Sequence, residues 1–184
     1  VTDTNDQSPV YSSVDLSPTV NENATAVETF TVMDTDTGDS NSCSLGGTDS
    51  SFFTCSVTGD SISLDFTNAP DFESPADGNG DNLYEVTVTI SDSVNTGATL
   101  SYVVEVADLN DETPVLVANG SLTVTENDET GTTGTLIGTI TSTDADAGDT
   151  ASYAIVSGNS SGYFSIADSS NAGEISIAAQ GIDY

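Results

Sequence analysis

Two short stretches of this 184-residue chain could do chemistry. DTNDQSPV runs from Asp3 to Val10, and DLNDETPV from Asp108 to Val115. Each sets two acids and an Asn in four positions ahead of a Pro. Oxygen donors at that density suit a hard cation, which takes carboxylate, amide and main-chain oxygens. The plainer alternative is a disordered acidic hinge. Further acids are grouped as MDTDTGD, Met33–Asp39, and TDADAGD, Thr143–Asp149.

The rest of the composition narrows the chemistry. The chain has 30 acids and no Lys, Arg or His, a formal charge of −30. Nucleic-acid binding rests largely on Lys and Arg contacts to phosphate, so that class is excluded. No salt bridge between side chains can form. A Ser-His-Asp triad and a Lys isopeptide cross-link are both impossible. Such a charge opposes compaction unless salt screens it or bound cations neutralise it. Either a solvated surface adapted to salt or multivalent metal binding meets that need. There is no apolar run of about 18 residues, so no membrane span is predicted in this segment. The start, VTDTND, has no signal-peptide pattern.

The elements that must position the acids are repeated. VNEN, Val20–Asn23, matches VTEN, Val124–Asn127. SFFTC matches GYFSI at Gly162–Ile166, SISL matches EISI at Glu174–Ile177, and APDF matches GIDY at Gly181–Tyr184. Period-2 alternation marks strands. Tyr84, Val86, Val88 and Ile90 share one face of YEVTVTI, and Leu100, Tyr102, Val104 and Val106 share one face of LSYVVEV. SDSVNTGAT joins the two as a hairpin loop. In the second copy Leu122, Val124, Tyr153, Ile155, Phe164, Ile166, Ile175 and Ile177 are expected core. Ser and Thr exceed a quarter of the chain. About seven short strands per repeat, each with one apolar face, describe an all-β protein of tandem immunoglobulin-like antiparallel β-sandwiches.

Cys43 aligns with Tyr153 and Cys55 with Ile166, so both occupy inward positions of neighbouring strands. They are either two small buried thiols or a disulfide; the even number and adjacent strands predict the disulfide.

NEN near a repeat start, DFE at Asp71–Glu73, DLND at Asp108–Asp111 and DAD at Asp144–Asp146 resemble the cadherin repeat. The order is that of the family, and the likeness covers the whole chain. DFESPADGNGDNLYEVTVTISD is especially similar to cadherin-like repeats of bacterial surface proteins. The resemblance implies 1–9 as a linker from an upstream repeat, 10–107 as one repeat, 108–114 as a calcium-binding linker and 115–184 as a second repeat lacking its last two strands. Those strands would come from a continuing chain, beginning with Glu, or from a neighbouring subunit.

The same resemblance implies about three Ca²⁺ per complete repeat junction. Its ligands would be Glu22, Asp71 and Glu73 from the first repeat, Asp108, Asn110 and Asp111 from the linker with main-chain oxygens of Leu109 and Glu112, and Asp144 and Asp146 from the second repeat. Asp3, Asn5, Asp6, Asp34, Asp36 and Asp92 match the matching share of an upstream junction. Glu126 and Asp183 match the first share of a downstream one. An EF-hand is excluded, because the twelfth positions counted from Asp34 and Asp144 are Leu45 and Ile155. DGNGD at Asp77–Asp81 is either a further ion site or a turn. Asn23, Asn119 and Asn159 lie in N-x-S/T sequons.

The function implied is a calcium-rigidified, non-enzymatic module of an extracellular or cell-surface adhesin or filament, with further copies of the repeat as partners. A carbohydrate-binding module is the alternative and would need exposed aromatic platforms. A carboxylate-only glycosidase would need a cleft that the acid distribution does not suggest. The chain has no Trp, so strand exchange through a Trp anchor is not expected.

Overall fold

Apolar residues at every second position place strands where the alternation predicts them. The computed structural model describes residues 3–36, 40–117, 120–124, 133–169 and 172–179. The chain divides into two compact units, Val1–Leu109 and Asn110–Tyr184.

Among its described residues unit 1 has eight strands: β1 (Val10–Tyr11), β2 (Thr19–Asn21), β3 (Ala26–Met33), β4 (Ser42–Gly46), β5 (Phe53–Thr58), β6 (Ser61–Phe66), β7 (Leu83–Ser91) and β8 (Thr96–Ala107). One sheet runs β1-β3-β6-β5 and the other β2-β8-β7-β4. All pairs are antiparallel except β2 with β8, which is parallel. Phe30, Val32, Ile62, Leu64 and Phe66 face Tyr84, Val86, Val88, Ile90, Tyr102, Val104 and Val106 across a dry interior, none more than 3% exposed. Phe53 stacks on Phe66 with centroids 4.5 Å apart, and Tyr84 meets Phe66 edge-on at 5.1 Å. These rings fix the end of β7 from which the Asp71–Asn82 loop departs.

β8 starts at Thr96, so the hairpin turn is shorter than the nine residues predicted for it. Cys43 and Cys55 form the predicted disulfide. The two cysteines are not side by side in one sheet. Cys43 lies on edge strand β4 and Cys55 on edge strand β5 of the opposite sheet. The bond therefore staples the two sheets to each other along one side of the sandwich.

Unit 2 contains β9 (Val115–Val117), β10 (Leu136–Thr143), β11 (Phe164–Ser169) and β12 (Ala172–Ile177). Their order, β11-β12-β10-β9, is that of β5-β6-β3-β1. A register shift between Ala26 and Glu28 in β3 recurs between Leu136 and Gly138 in β10. Strand pairing also corrects the alignment. Phe53↔Phe66 corresponds to Phe164↔Ile177, and Cys55↔Leu64 to Ile166↔Ile175. Leu64 thus corresponds to Ile175 and Ile62 to Gly173, a slip of two residues from SISL against EISI. A slip of two keeps every side chain on its own face, so alternation alone could not detect it.

Of the residues expected in the second core, Ile177 is buried, while Val124, Tyr153, Phe164, Ile166 and Ile175 are half-buried. Leu122 and Ile155 are exposed, at 40% and 37%. The reason for Ile155 lies in unit 1. Its counterpart strand β4 hydrogen-bonds only to β7, and no counterpart of β7 occurs among the described residues of unit 2.

Gly173 shows how unit 2 compensates. A Cβ there would come within 2.9 Å of Ile140, Ile166 and Tyr153. Where unit 1 has Ile62 and a cysteine, unit 2 has a glycine and a Tyr ring. The Tyr153 hydroxyl shares a 2.9 Å hydrogen bond with Ser142 Oγ. Gly173→Ala is expected to displace that ring and destabilise unit 2 by about 1–3 kcal/mol. Denaturant unfolding checks this, and an unchanged midpoint would contradict the packing described.

Candidate metal centre

At one end of unit 1, Glu22 follows β2 and is 2% exposed. Its Oε2 accepts the Phe72 N–H at 2.8 Å and its Oε1 accepts the Leu109 N–H at 2.8 Å. The Glu22 N–H donates to Ala107 O at 3.0 Å. Asp71 Oδ1 accepts the Ser74 N–H, and the Asn82 amide donates to Phe72 O. These bonds hold the DFE loop against the ends of β2 and β8. One carboxylate oxygen each from Glu22, Asp71 and Glu73 lies within 4.8 Å of the others. Asp108 is half-buried immediately after β8.

The other end of the β7–β8 hairpin carries the second predicted set. Asp92 is fully buried in the turn. Its Oδ1 accepts the Val94 and Asn95 N–H groups at 2.8 and 2.6 Å. The Asn95 amide reaches Asn5 Oδ1 at 2.6 Å. Asp36 Oδ2 accepts the Asp6 and Gln7 N–H groups at 2.8 and 2.7 Å, and the Asp36 N–H donates to Asp34 Oδ1 at 3.0 Å. Asp34 Oδ2 is buried with no hydrogen-bond partner. Gly97 lets this end close, since a Cβ there would sit 2.6 Å from Pro9 O. Asp3 and Asp6 are exposed and Asn5 half-buried.

Unit 2 repeats the second arrangement. Asp146 Oδ2 accepts the Glu112 N–H at 3.0 Å, and the Asp146 N–H donates to Asp144 Oδ1 at 3.3 Å. Glu112, Asp144 and Asp146 correspond to Gln7, Asp34 and Asp36. Asp146 is 6% exposed, whereas Asp111 and Glu112 are exposed. Carboxylate oxygens of Asp144, Asp146 and Asp149 lie within 4.8 Å of one another. The Asn110 amide hydrogen-bonds Asp149. Asp149 was not among the predicted ligands, although it stands inside the TDADAGD stretch. Glu126, Asp183 and Asn119 lie outside the described residues.

Both clusters offer only oxygen, in a chain with no cationic side chain. That donor set fits a hard divalent cation, which needs six to eight oxygens at about 2.3–2.6 Å and completes its shell with carbonyls and water. Thiolate and imidazole metals have no ligand here.

Two other buried acids stand outside both carboxylate clusters and are bonded to loop and strand backbone. Asp49 Oδ1 accepts the Gly78 N–H at 3.0 Å and Oδ2 the Glu85 N–H at 2.9 Å. Asp77 accepts N–H groups from Gly80, Asp81 and Asn82 at 2.7, 3.0 and 3.3 Å. DGNGD is thus a turn wound around its own first carboxylate. Asn159 is similarly committed: its amide both donates to and accepts from the Phe164 backbone.

No known family model matches the chain, and no curated protein does. Solved structures do. Mouse cadherin-23 EC22-24 superposes with TM-score 0.66 at 21% identity, over 95% of this chain and 55% of that one. Human protocadherin-24 EC1-2 gives 0.64 at 19% identity, over 95% and 80%. The extracellular cadherin domains 1-5 of protocadherin gamma B2 give 0.59 at 20% identity, over 97% and 34%. The chain spans less than half the length of several protocadherin structures it matches. These neighbours are cadherin domains rather than enzymes.

Burial pushes the Asp77 carboxyl up, but N–H bonds from Asp81, Gly80, Asn82 and Asn79 together outweigh it and hold it below its ordinary value. Its stabilising contribution is therefore present above the ordinary carboxylate range and is lost as pH falls through the lowered folded value. Asp77→Asn is expected to flatten the acid limb of unit 1 stability below about pH 4. Unfolding midpoints measured against pH check this; parallel acid limbs would contradict it. At these identities the similarity to solved structures is one of fold: the chain has a cadherin-like, all-β sandwich fold.

Proposed function

We propose that the chain is a pair of calcium-stabilised cadherin-like modules from an extracellular or cell-surface protein, acting as a stalk, an adhesive contact or a filament subunit. The single observation carrying this reading is the recurrence of one carboxylate–backbone arrangement, Asp34/Asp36 with Gln7 and Asp144/Asp146 with Glu112. Two stretches 105 residues apart fold their DxD acids onto the N–H after the D-x-N-D sequence. Glu22 then binds the Leu109 N–H, so acids of the first module are tethered one residue before Asn110.

In this reading 10–107 and 115–184 are repeats and 108–114 is the linker. Glu22, Asp71, Glu73, Asp108, Asn110, Asp111, Asp144 and Asp146 are side-chain ligands for about three Ca²⁺, with carbonyls of Leu109 and Glu112. Without calcium, these like charges have no counter-charge in the chain and the linker is loose. With it, the linker stiffens. Asp3, Asn5, Asp6, Asp34, Asp36 and Asp92, and also Glu126 and Asp183, are shares of further junctions. Further copies of the repeat, in the chain or in neighbouring subunits, are the partners. Among the described residues no helix is long and apolar enough to cross a membrane. No described aromatic side chain is exposed, which disfavours a carbohydrate-binding module.

Small-angle scattering is expected to give a narrow, extended distance distribution in calcium and a broader one in chelator. Calorimetric titration is expected to show Asp111→Ala and Asp146→Ala weakening calcium binding by about tenfold or more, and Asp77→Ala leaving it unchanged. Identical scattering in both conditions, or equal losses in all three variants, would refute the assignment.

A further inference from the structure

The loop between the DFE stretch and β7 carries Asn79–Gly80. The chain's other Asn–Gly pair is Asn119–Gly120, whose Asn lies outside the described residues. An Asn followed by Gly has a chemistry of its own. The Gly nitrogen attacks the Asn side-chain carbonyl, because the glycine carries no side chain to hinder the approach. Asn79 and Gly80 are both exposed, Gly80 has φ +73°, and a Cβ on it would meet nothing within 4 Å. Water therefore reaches the pair.

The bonds around the pair oppose the reaction. The attacking nitrogen must first lose its proton. In the fold the Gly80 N–H donates to Asp77 Oδ2 at 2.7 Å. Deprotonating that nitrogen would set an anion against a carboxylate, which like charge disfavours. The Asn79 amide donates to Asp81 Oδ2 at 2.9 Å, which pins the leaving nitrogen. The chain has no cationic side chain to stabilise the negative oxygen of the intermediate.

We propose that Asn79 is a spontaneous modification site that the Asp77 turn keeps closed in the folded chain and releases when the turn opens. In the opened turn the Gly80 nitrogen gives its proton to hydroxide and bonds to Asn79 Cγ. The Cγ–Nδ2 bond breaks, and the nitrogen leaves as ammonia with a proton from water. Water then opens the cyclic imide at either carbonyl, leaving aspartate or isoaspartate at position 79. The net change is amide plus water to carboxylic acid plus ammonia, with no redox step. Isoaspartate routes the backbone through the former side chain and lengthens it by one atom. The turn presents the N–H groups of Gly80, Asp81 and Asn82 to Asp77, and the lengthened chain no longer fits that arrangement. Asn82 carries the consequence further. Its amide donates to Phe72 O at 2.9 Å and its carbonyl accepts the Val106 N–H at 3.0 Å, so the modified loop loses its tie between the DFE stretch and β8. The inference rests on hydrogen bonds within unit 1, independently of calcium.

The test incubates the 184-residue chain and its Asp77→Ala variant at mildly alkaline pH, with and without urea. Mass spectrometry of peptic peptides reads conversion at each Asn–Gly pair, and enzymatic methyl labelling reads isoaspartate. In urea, Asn79 and Asn119 are expected to convert at similar rates. Without urea, conversion at Asn79 should slow about tenfold or more, following the open fraction of the turn. Asp77→Ala should return most of the unfolded rate while hydrogen exchange in 61–66 and 84–90 stays slow. If that variant opens the core as well, Asp81→Ala, which frees the Asn79 amide, takes its place with the same expectation. Equal Asn79 rates with and without urea, or a folded variant that converts no faster than the original chain, would overturn the proposal.

Discussion

The chain has no positive side chain, so every buried carboxylate needs backbone N–H groups, water or an external cation for compensation. Burying an uncompensated charge costs several kcal/mol. The structure answers with main-chain donors. Among the described residues Glu22, Asp49, Asp77, Asp92 and Asp146 are the buried acids, and each accepts at least one backbone N–H. This constraint also sorts them. Asp49 and Asp77 are wrapped by N–H groups and shape loops. Glu22 and Asp146 each stand among two further carboxylates, where main-chain donors alone do not neutralise the group.

The β7–β8 hairpin links this electrostatic pattern to the fold of unit 1. Its inward residues complete the core, its turn is built on Asp92, and its open end borders the Glu22 cluster through Ala107 and Asn82. The same strands that exclude water therefore set the positions of acids at both ends. Unit 2 shows the converse. Its four strands keep their order and register shift, yet its apolar face is only half-buried and Tyr153 takes over part of the cover.

Alternation made β7 and β8 readable to within a few residues, because each strand has one fully buried face. The repeated DxD and D-x-N-D stretches made the acid clusters readable, because their order and the spacing inside each stretch survive the loop insertions between copies. The slip of two residues between β6 and β12 was not readable, since period-2 patterns are blind to even shifts. Nor was the role of Asp49, whose partners at Gly78 and Glu85 are distant in sequence. Ile155 and Leu122 look like core residues by type, but burial depends on what covers them, which their own strands do not encode. The cysteines were readable as a pair, though not as a bond between opposite sheets.

Equilibrium dialysis against calcium at about 0.15 M monovalent salt, where free charges are screened beyond about 8 Å, separates specific coordination from counter-ion condensation. Saturable uptake of a few ions per chain, lost with Glu22→Gln and Asp146→Asn but kept with Asp49→Asn, is the expected result. Uptake that never saturates, or that falls equally in all three variants, would contradict the division of the acids into ligands and loop-shapers.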